Sequence, residues 1–206
     1  MKKILIIAIT IIIVLVIAFL LINPFKTEIS FEQGYNEIKQ AWVDSGLTNE
    51  SFSFDFQVPA TESAIEQTNL LKKSLLELKQ KYSTSLFSKN ASALNDLLEI
   101  QLSSIDLWQE QKNIASRLII SEENLTDEFV CSNESVLETA VLDFKSWIAK
   151  STLLNTEITN FVVNYPEQAQ TANVINTGID NEGIQENLDV LTISINQLKQ
   201  ACLGSE

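Results

Sequence analysis

The sequence predicts an all-α protein: an N-terminal single transmembrane helix, then an extracytoplasmic antiparallel bundle of four to five long helices with one short extended Phe-rich segment. Three observations predict it. Residues 4–22, ILIIAITIIIVLVIAFLLI, form an apolar run whose only polar member is Thr10. Chain breakers are sparse, with five Gly and three Pro in 206 residues. Beyond the run, apolar residues recur at three- and four-residue steps, the spacing that lines one face of an α-helix.

As a helix, the apolar run covers about 28 Å, close to the roughly 30 Å hydrocarbon thickness of a bilayer. A helix also satisfies its own backbone in lipid, which a lone strand does not. Lys2 and Lys3 precede the run, so residues 1–3 are expected as a cytoplasmic tip, 4–23 as the anchor and 24–206 as the exported domain. A cleaved signal peptide competes with this reading. Its apolar core would be shorter, about 7–15 residues, and would end at a small-x-small site. The exit Leu20-Leu21-Ile22-Asn23-Pro24-Phe25 has no small pair, and no Cys for lipid attachment lies nearby, so an uncleaved anchor is expected.

The first exported helix is expected over 31–45. Ser30 with Gln33 fits a capping box, Phe31, Tyr35, Ile38 and Trp42 share one face, and Gly46 is a stop. Ser51-Phe52-Ser53-Phe54-Asp55-Phe56-Gln57-Val58 alternates strictly, but no second alternating run exists to pair with it. It is expected to lie extended with Phe52, Phe54 and Phe56 in a groove between helices, sealing the bundle or offering a partner an apolar edge. Pro59 and Thr61 open a helix over 60–83 whose stripe is Ile65, Leu71, Leu75, Leu78 and Tyr82.

The helix over 91–120 carries Leu94, Leu98, Leu102, Ile105, Trp108, Ala115 and Ile119, a seam that Lys112 interrupts. After a polar loop at 121–128, the helix over 133–165 turns Val136, Ala140, Phe144, Trp147, Leu154, Ile158 and Phe161 inward. Pro166 ends or kinks it, because the residue before proline is biased away from helix. A short helical piece fills 167–176. The last helix, over 183–202, places Ile184, Leu188, Leu191, Ile195, Leu198 and Cys202 at steps of four and three, a bundle seam. Long helices and modest polar loops make an antiparallel bundle the expected architecture.

Charge narrows the function. The chain has 14 Lys+Arg against 27 Asp+Glu, a formal net charge of −13, and no His. Without histidine it lacks the commonest general base and the commonest transition-metal ligand. So acidic a domain repels nucleic acid, and no nucleic-acid partner is expected. No Walker loop, dinucleotide fingerprint, GxSxG or zinc spacing occurs. The acids at Glu122-Glu123 and Asp127-Glu128 lack the calcium-loop pattern with its central Gly. No cofactor, metal or catalytic residue is assigned, and no enzymatic activity is expected.

Cys131 and Cys202 flank Pro166 at nearly equal distances, so a helical hairpin turning there brings both sulfurs to one end. An intramolecular disulfide is expected outside the cytoplasm, with free thiols or an intermolecular bond as the alternatives. Four N-x-S/T sequons, at Asn49, Asn90, Asn124 and Asn133, are candidate glycosylation sites at loops or helix starts. Trp42, Trp108 and Trp147 sit on the apolar faces of three helices and are expected in the core, where large aromatics supply buried area.

In architecture alone, an N-terminal anchor with an exported helical bundle resembles bacterial envelope proteins and sensor ectodomains. The expected function is an interaction or structural module of the cell envelope, held to the membrane by its anchor and meeting an envelope protein partner. The alternative is a bundle that binds a small ligand or solute between its helices. The sequence leaves the oligomeric state open.

Overall fold

In the computed structural model, which describes residues 30–48, 51–54, 60–83, 88–118, 127–174, 179 and 181–203, the chain is helical. Its elements are α1 (Phe31–Ser45), α2 (Glu62–Ser83), α3 (Lys89–Leu118), α4 (Asp127–Asn164), α5 (Pro166–Thr171) and α6 (Asn181–Leu203). No strand occurs among the described residues. The expected membrane span, residues 4–22, lies outside them. Among the described residues no helix is long and apolar enough to cross a membrane.

Capping chemistry sets several boundaries. Thr61 Oγ1 accepts the Ala64 N–H at 3.1 Å and Ser88 Oγ accepts the Ala91 N–H at 3.1 Å, so α2 and α3 begin at Glu62 and Lys89 rather than at 60 and 91. The expected capping box at Ser30 is absent. Ser30 has the extended backbone of an N-cap, but its hydroxyl makes no capping bond, and its carbonyl accepts the Gly34 N–H at 3.2 Å. Gly46 ends α1 in the left-handed region, at φ 72°, with its N–H on the Val43 carbonyl.

Helix α4 starts at Asp127, earlier than the expected 133, and is broken at Asn133 (φ −120°, ψ 18°). Asn competes for backbone hydrogen bonds and tolerates such a break. Cys131 therefore lies within α4 and not ahead of it. Pro166 ends α4 and opens α5, since a first-turn proline has no N–H to satisfy. Helix α6 runs past both ends of the expected 183–202.

Ion pairs and contacts between the long helices reveal their directions. Lys72 of α2 meets Asp106 of α3 and Lys79 meets Glu99, so an advance along one helix is a retreat along the other. The α3–α4 pairs Glu110–Lys150 and Arg117–Asp143 run the same way, as do the α4–α6 contacts. The expected antiparallel bundle is present in these pairs. Helix α3 is its centre, touching α1, α2 and α4, while α6 packs on α4.

The seams follow the expected stripes with two corrections. Ile65 and Val136 are 44% and 46% exposed, while their neighbours Ala64 and Leu137 are buried. One residue is about 100° of helical rotation, so a stripe read one position off turns a side chain out. The α2 seam runs Ala64, Thr68, Leu71, Leu75, Leu78, Tyr82, and it holds the polar Thr68 because its hydroxyl donates to the Ala64 carbonyl at 2.6 Å. Ile119 and the side chains of Leu191, Leu198 and Cys202 lie outside what is described. Lys112 is buried in the α3 seam with its ammonium 5.8 Å from the Trp108 ring centre.

The described part of the Phe-rich segment, residues 51–54, enters the bundle and is not a strand. Phe52 stacks on Trp108 (5.5 Å between centroids) and meets the Trp42 edge (5.4 Å), and Phe54 lies 6.2 Å from Trp147. The Ser53 carbonyl accepts the Trp108 indole N–H at 3.1 Å. Phe56 lies outside the described residues. At the far end, Asn155 exchanges two 3.0 Å bonds with the Ile179 backbone, and Ser151 and Thr152 bond Asn181, which fixes α6 on α4.

Candidate interaction surface

On the side of α3 opposite Leu94, Leu98 and Ile105, the residues Asp96, Glu99, Ser103, Asp106 and Glu110 recur at steps of three and four. Helix α2 reaches this row with Lys72 on Asp106 and Lys79 on Glu99 at 2.5 Å. From the other flank, the Lys150 ammonium of α4 donates to both oxygens of Glu110, at 2.7 and 2.8 Å. Exposed pairs of this kind contribute roughly 0–1 kcal/mol each, so they mainly orient the helices and shape the surface potential.

Two grooves of about 320 and 230 Å³ follow the α3–α4 boundary and share Glu157. Their lining contains five acids (Asp96, Glu99, Asp106, Glu110 and Glu157) against the single base Lys150. Glu157 has no basic partner among the described residues. Burial and a hydrogen bond to Asp96 raise the Tyr165 hydroxyl above its ordinary range, keeping it a neutral donor at this end of the groove.

A second polar cluster joins α1 to α2. Burial works to raise the Glu37 carboxyl, but hydrogen bonds from Lys81 and Tyr82, with the Lys81 charge, outweigh it and hold the group below its ordinary value. The buried Tyr82 hydroxyl donates to Glu37 at 2.8 Å and is pushed well above the usual phenol range, by burial first and then by that bond. Glu37 also lines an open groove on α1, but Lys81 and Tyr82 take its carboxylate oxygens, and the geometry of the cluster is that of a clasp.

The expected site residues fall in separate places. Cys131 is exposed on α4, and no free cysteine occurs among the described residues. Cys202 is in the last turn of α6. Asn90 sits in the first turn of α3, where its carbonyl oxygen accepts from Gln168 at 3.1 Å. Asn133 occupies the α4 kink rather than a helix start, while Asn49 and Asn124 lie outside the described residues.

The three tryptophans converge on Phe52 and Phe54. Each indole N–H is satisfied inside the protein, Trp42 by Gln101 (3.0 Å), Trp108 by Ser53 and Trp147 by the Leu107 carbonyl (2.8 Å). They form core. Among the described residues no three His, Cys, Asp or Glu side chains converge as a metal centre requires.

The row on α3 is visible in the sequence as the polar complement of its apolar seam. Its pairing with Glu157 and Lys150 depends on helix register and is not visible there. The chain matches no known protein family, no curated protein and no solved structure, so the surface is read from its own chemistry.

Proposed function

We propose that this protein is a single-pass membrane protein whose exported helical bundle serves as a binding module of the cell envelope, without catalysis of its own. Residues 4–22 anchor it, Lys2 and Lys3 stay in the cytoplasm, and residues 24–206 stand outside. The observation that carries the binding role is the α3–α4 groove, where five acids face one base and Glu157 is unpaired among the described residues. Such a groove suits a basic segment of an envelope protein, by charge complementarity.

A Cys131–Cys202 disulfide belongs to the same proposal. Helices α4 and α6 pack along each other, and no described cysteine is a free thiol. The link would tie the open ends of the two helices in an oxidising compartment.

The test is a photo-crosslinking residue placed at Ser103 in the full chain, in intact cells, with Val43 on α1 as the exposed control. A protein adduct at Ser103, absent at Val43 and weakened by salt, is expected. Equal labelling at both positions, or none at Ser103, refutes the groove. Separately, extraction of the chain from membranes by alkaline carbonate without detergent refutes the anchor.

A further inference from the structure

Helix α4 keeps a long face outside the core, which meets the acidic α3–α4 groove only at Leu153. Along it, Thr139, Leu142, Ser146, Ala149, Leu153 and Thr156 follow at alternating steps of three and four, and every one is exposed. The same spacing runs on to Val163, and Leu142, Leu153 and Val163 are 65%, 60% and 71% exposed. No charged residue stands on this stripe. Alternation of three and four is the spacing of a coiled-coil seam, and its 3.5-residue period supports a left-handed supercoil.

The stripe is also a palindrome. The point midway between Ser146 and Ala149 is midway between Leu142 and Leu153, and again between Thr139 and Thr156. A two-fold interface requires that residue i meet residue j while j meets i. This sequence of side chains meets that requirement when read against itself in the opposite direction.

We infer that α4 is the contact between two copies of this chain, packed antiparallel about a two-fold axis between Ser146 and Ala149. Leu142 of one copy then sits on Leu153 of the second, and Thr139 on Thr156. The small central pair, Ser146 against Ala149, lets the helices approach closely. The threonine hydroxyls need no partner across the interface, because Thr139 donates to the Ser135 carbonyl (2.8 Å) and Thr156 to the Thr152 carbonyl (3.0 Å). They present methyl groups outward.

Charge selects the same occupant. Two chains of net charge −13 repel, and repulsion is least where the uncharged stripe faces itself. On the flanks, Asp143 comes within two residues of the level of Lys150 of the second copy, an opposite-charge neighbour beside the pairs each already makes with Arg117 and Glu110 of its own chain. A helix pair of this length falls near the low end of specific interfaces, roughly 1,200 Å², and confinement to one surface would raise its occupancy.

The inference does not depend on the anchor or on a ligand in the acidic groove, which the stripe borders at Leu153, and full-length chain in detergent micelles tests it. Differently tagged Leu142→Cys and Leu153→Cys chains are mixed and oxidised, with the parent chain and Val43→Cys as controls. A disulfide between the two variants, exceeding that formed by either alone, is expected. Ala149→Glu places like charges beside the axis and should cut that linkage by about tenfold or more, while leaving helix content unchanged because Ala149 is exposed. Preferential linkage of Leu142→Cys to itself means a parallel pair and overturns the inference. Linkage no greater than the controls, or an Ala149→Glu chain that links as well as its parent, overturns it too.

Discussion

Gly34→Ala probes how closely α1 sits on α3. A Cβ at Gly34 would lie 2.8 Å from Leu94 Cδ2 and 3.1 Å from its Cγ, and closer still to Cδ1. Leu94 is fully buried, so its side chain cannot swing into solvent. Overpacking a filled core costs about 1–3 kcal/mol. Alanine's better helix propensity returns up to about 1 kcal/mol, so the net loss falls between about 0 and 3 kcal/mol; the two close methyl contacts place it in the middle of that range, at about 1–2 kcal/mol.

Urea unfolding of the full chain in mild detergent, followed by far-ultraviolet circular dichroism, measures this loss. In a thermal melt the same loss lowers Tm by about 2–8 °C. Leu94→Ala provides the control. Alone it should cost about 2–5 kcal/mol, but in its background Gly34→Ala should become neutral or stabilising, because the obstructing methyls are gone. A Gly34→Ala chain as stable as its parent refutes the close approach. An equal penalty in both backgrounds refutes Leu94 as its cause.

Phe52→Ala should destabilise the chain by about 2–3 kcal/mol, less than a fully buried Phe, and shift tryptophan emission to the red as Trp42 and Trp108 lose their shared neighbour. Unchanged emission and stability would contradict the aromatic seal. Asn155→Ala removes both bonds to Ile179 and should speed amide exchange at Ile179 and the start of α6, by the equivalent of about 1–3 kcal/mol, with little effect on α1 to α3. Glu37 has a lower pKa folded than unfolded, so its contribution is complete above its ordinary value of 4.5 and is lost as pH falls through the lower folded value. Stability of the parent should therefore drop faster in that acid range than stability of Glu37→Gln, and parallel curves would remove the clasp from the acid response. If Cys131 and Cys202 are linked, reduction opens a loop of about 70 residues and should cost up to roughly 4 kcal/mol, read by unfolding with and without reductant; intact mass showing two free thiols before reduction would end that proposal.

Local chemistry made much of the bundle legible. The stripe of Phe31, Tyr35, Ile38 and Trp42 on α1 depends only on side chains spaced along one element, and so does the break at Pro166. The Ser30–Gln33 box was misleading because a capping sequence allows the hydroxyl bond without obliging it: Ser30 keeps the ordinary N-cap bond from the Gly34 N–H to its carbonyl, while its hydroxyl caps nothing. Ile65 and Val136 were misplaced because their neighbours Ala64 and Leu137 fit tighter helix contacts, and size in a sequence does not reveal which face meets a neighbour.

The sequence by itself determined the helical class, the order of the long helices, the acidic net charge and the apolar run at 4–22. Only the tertiary structure decided that α3 is the centre, that Phe52 and Phe54 gather the three tryptophans, and that Glu157 meets the acidic row of α3. It also separated the buried face of α4 from the exposed, palindromic one. The physical reason is the range of the interactions. Periodicity acts over one or two helical turns, whereas the choice of facing helix is made by packing between residues far apart in the chain.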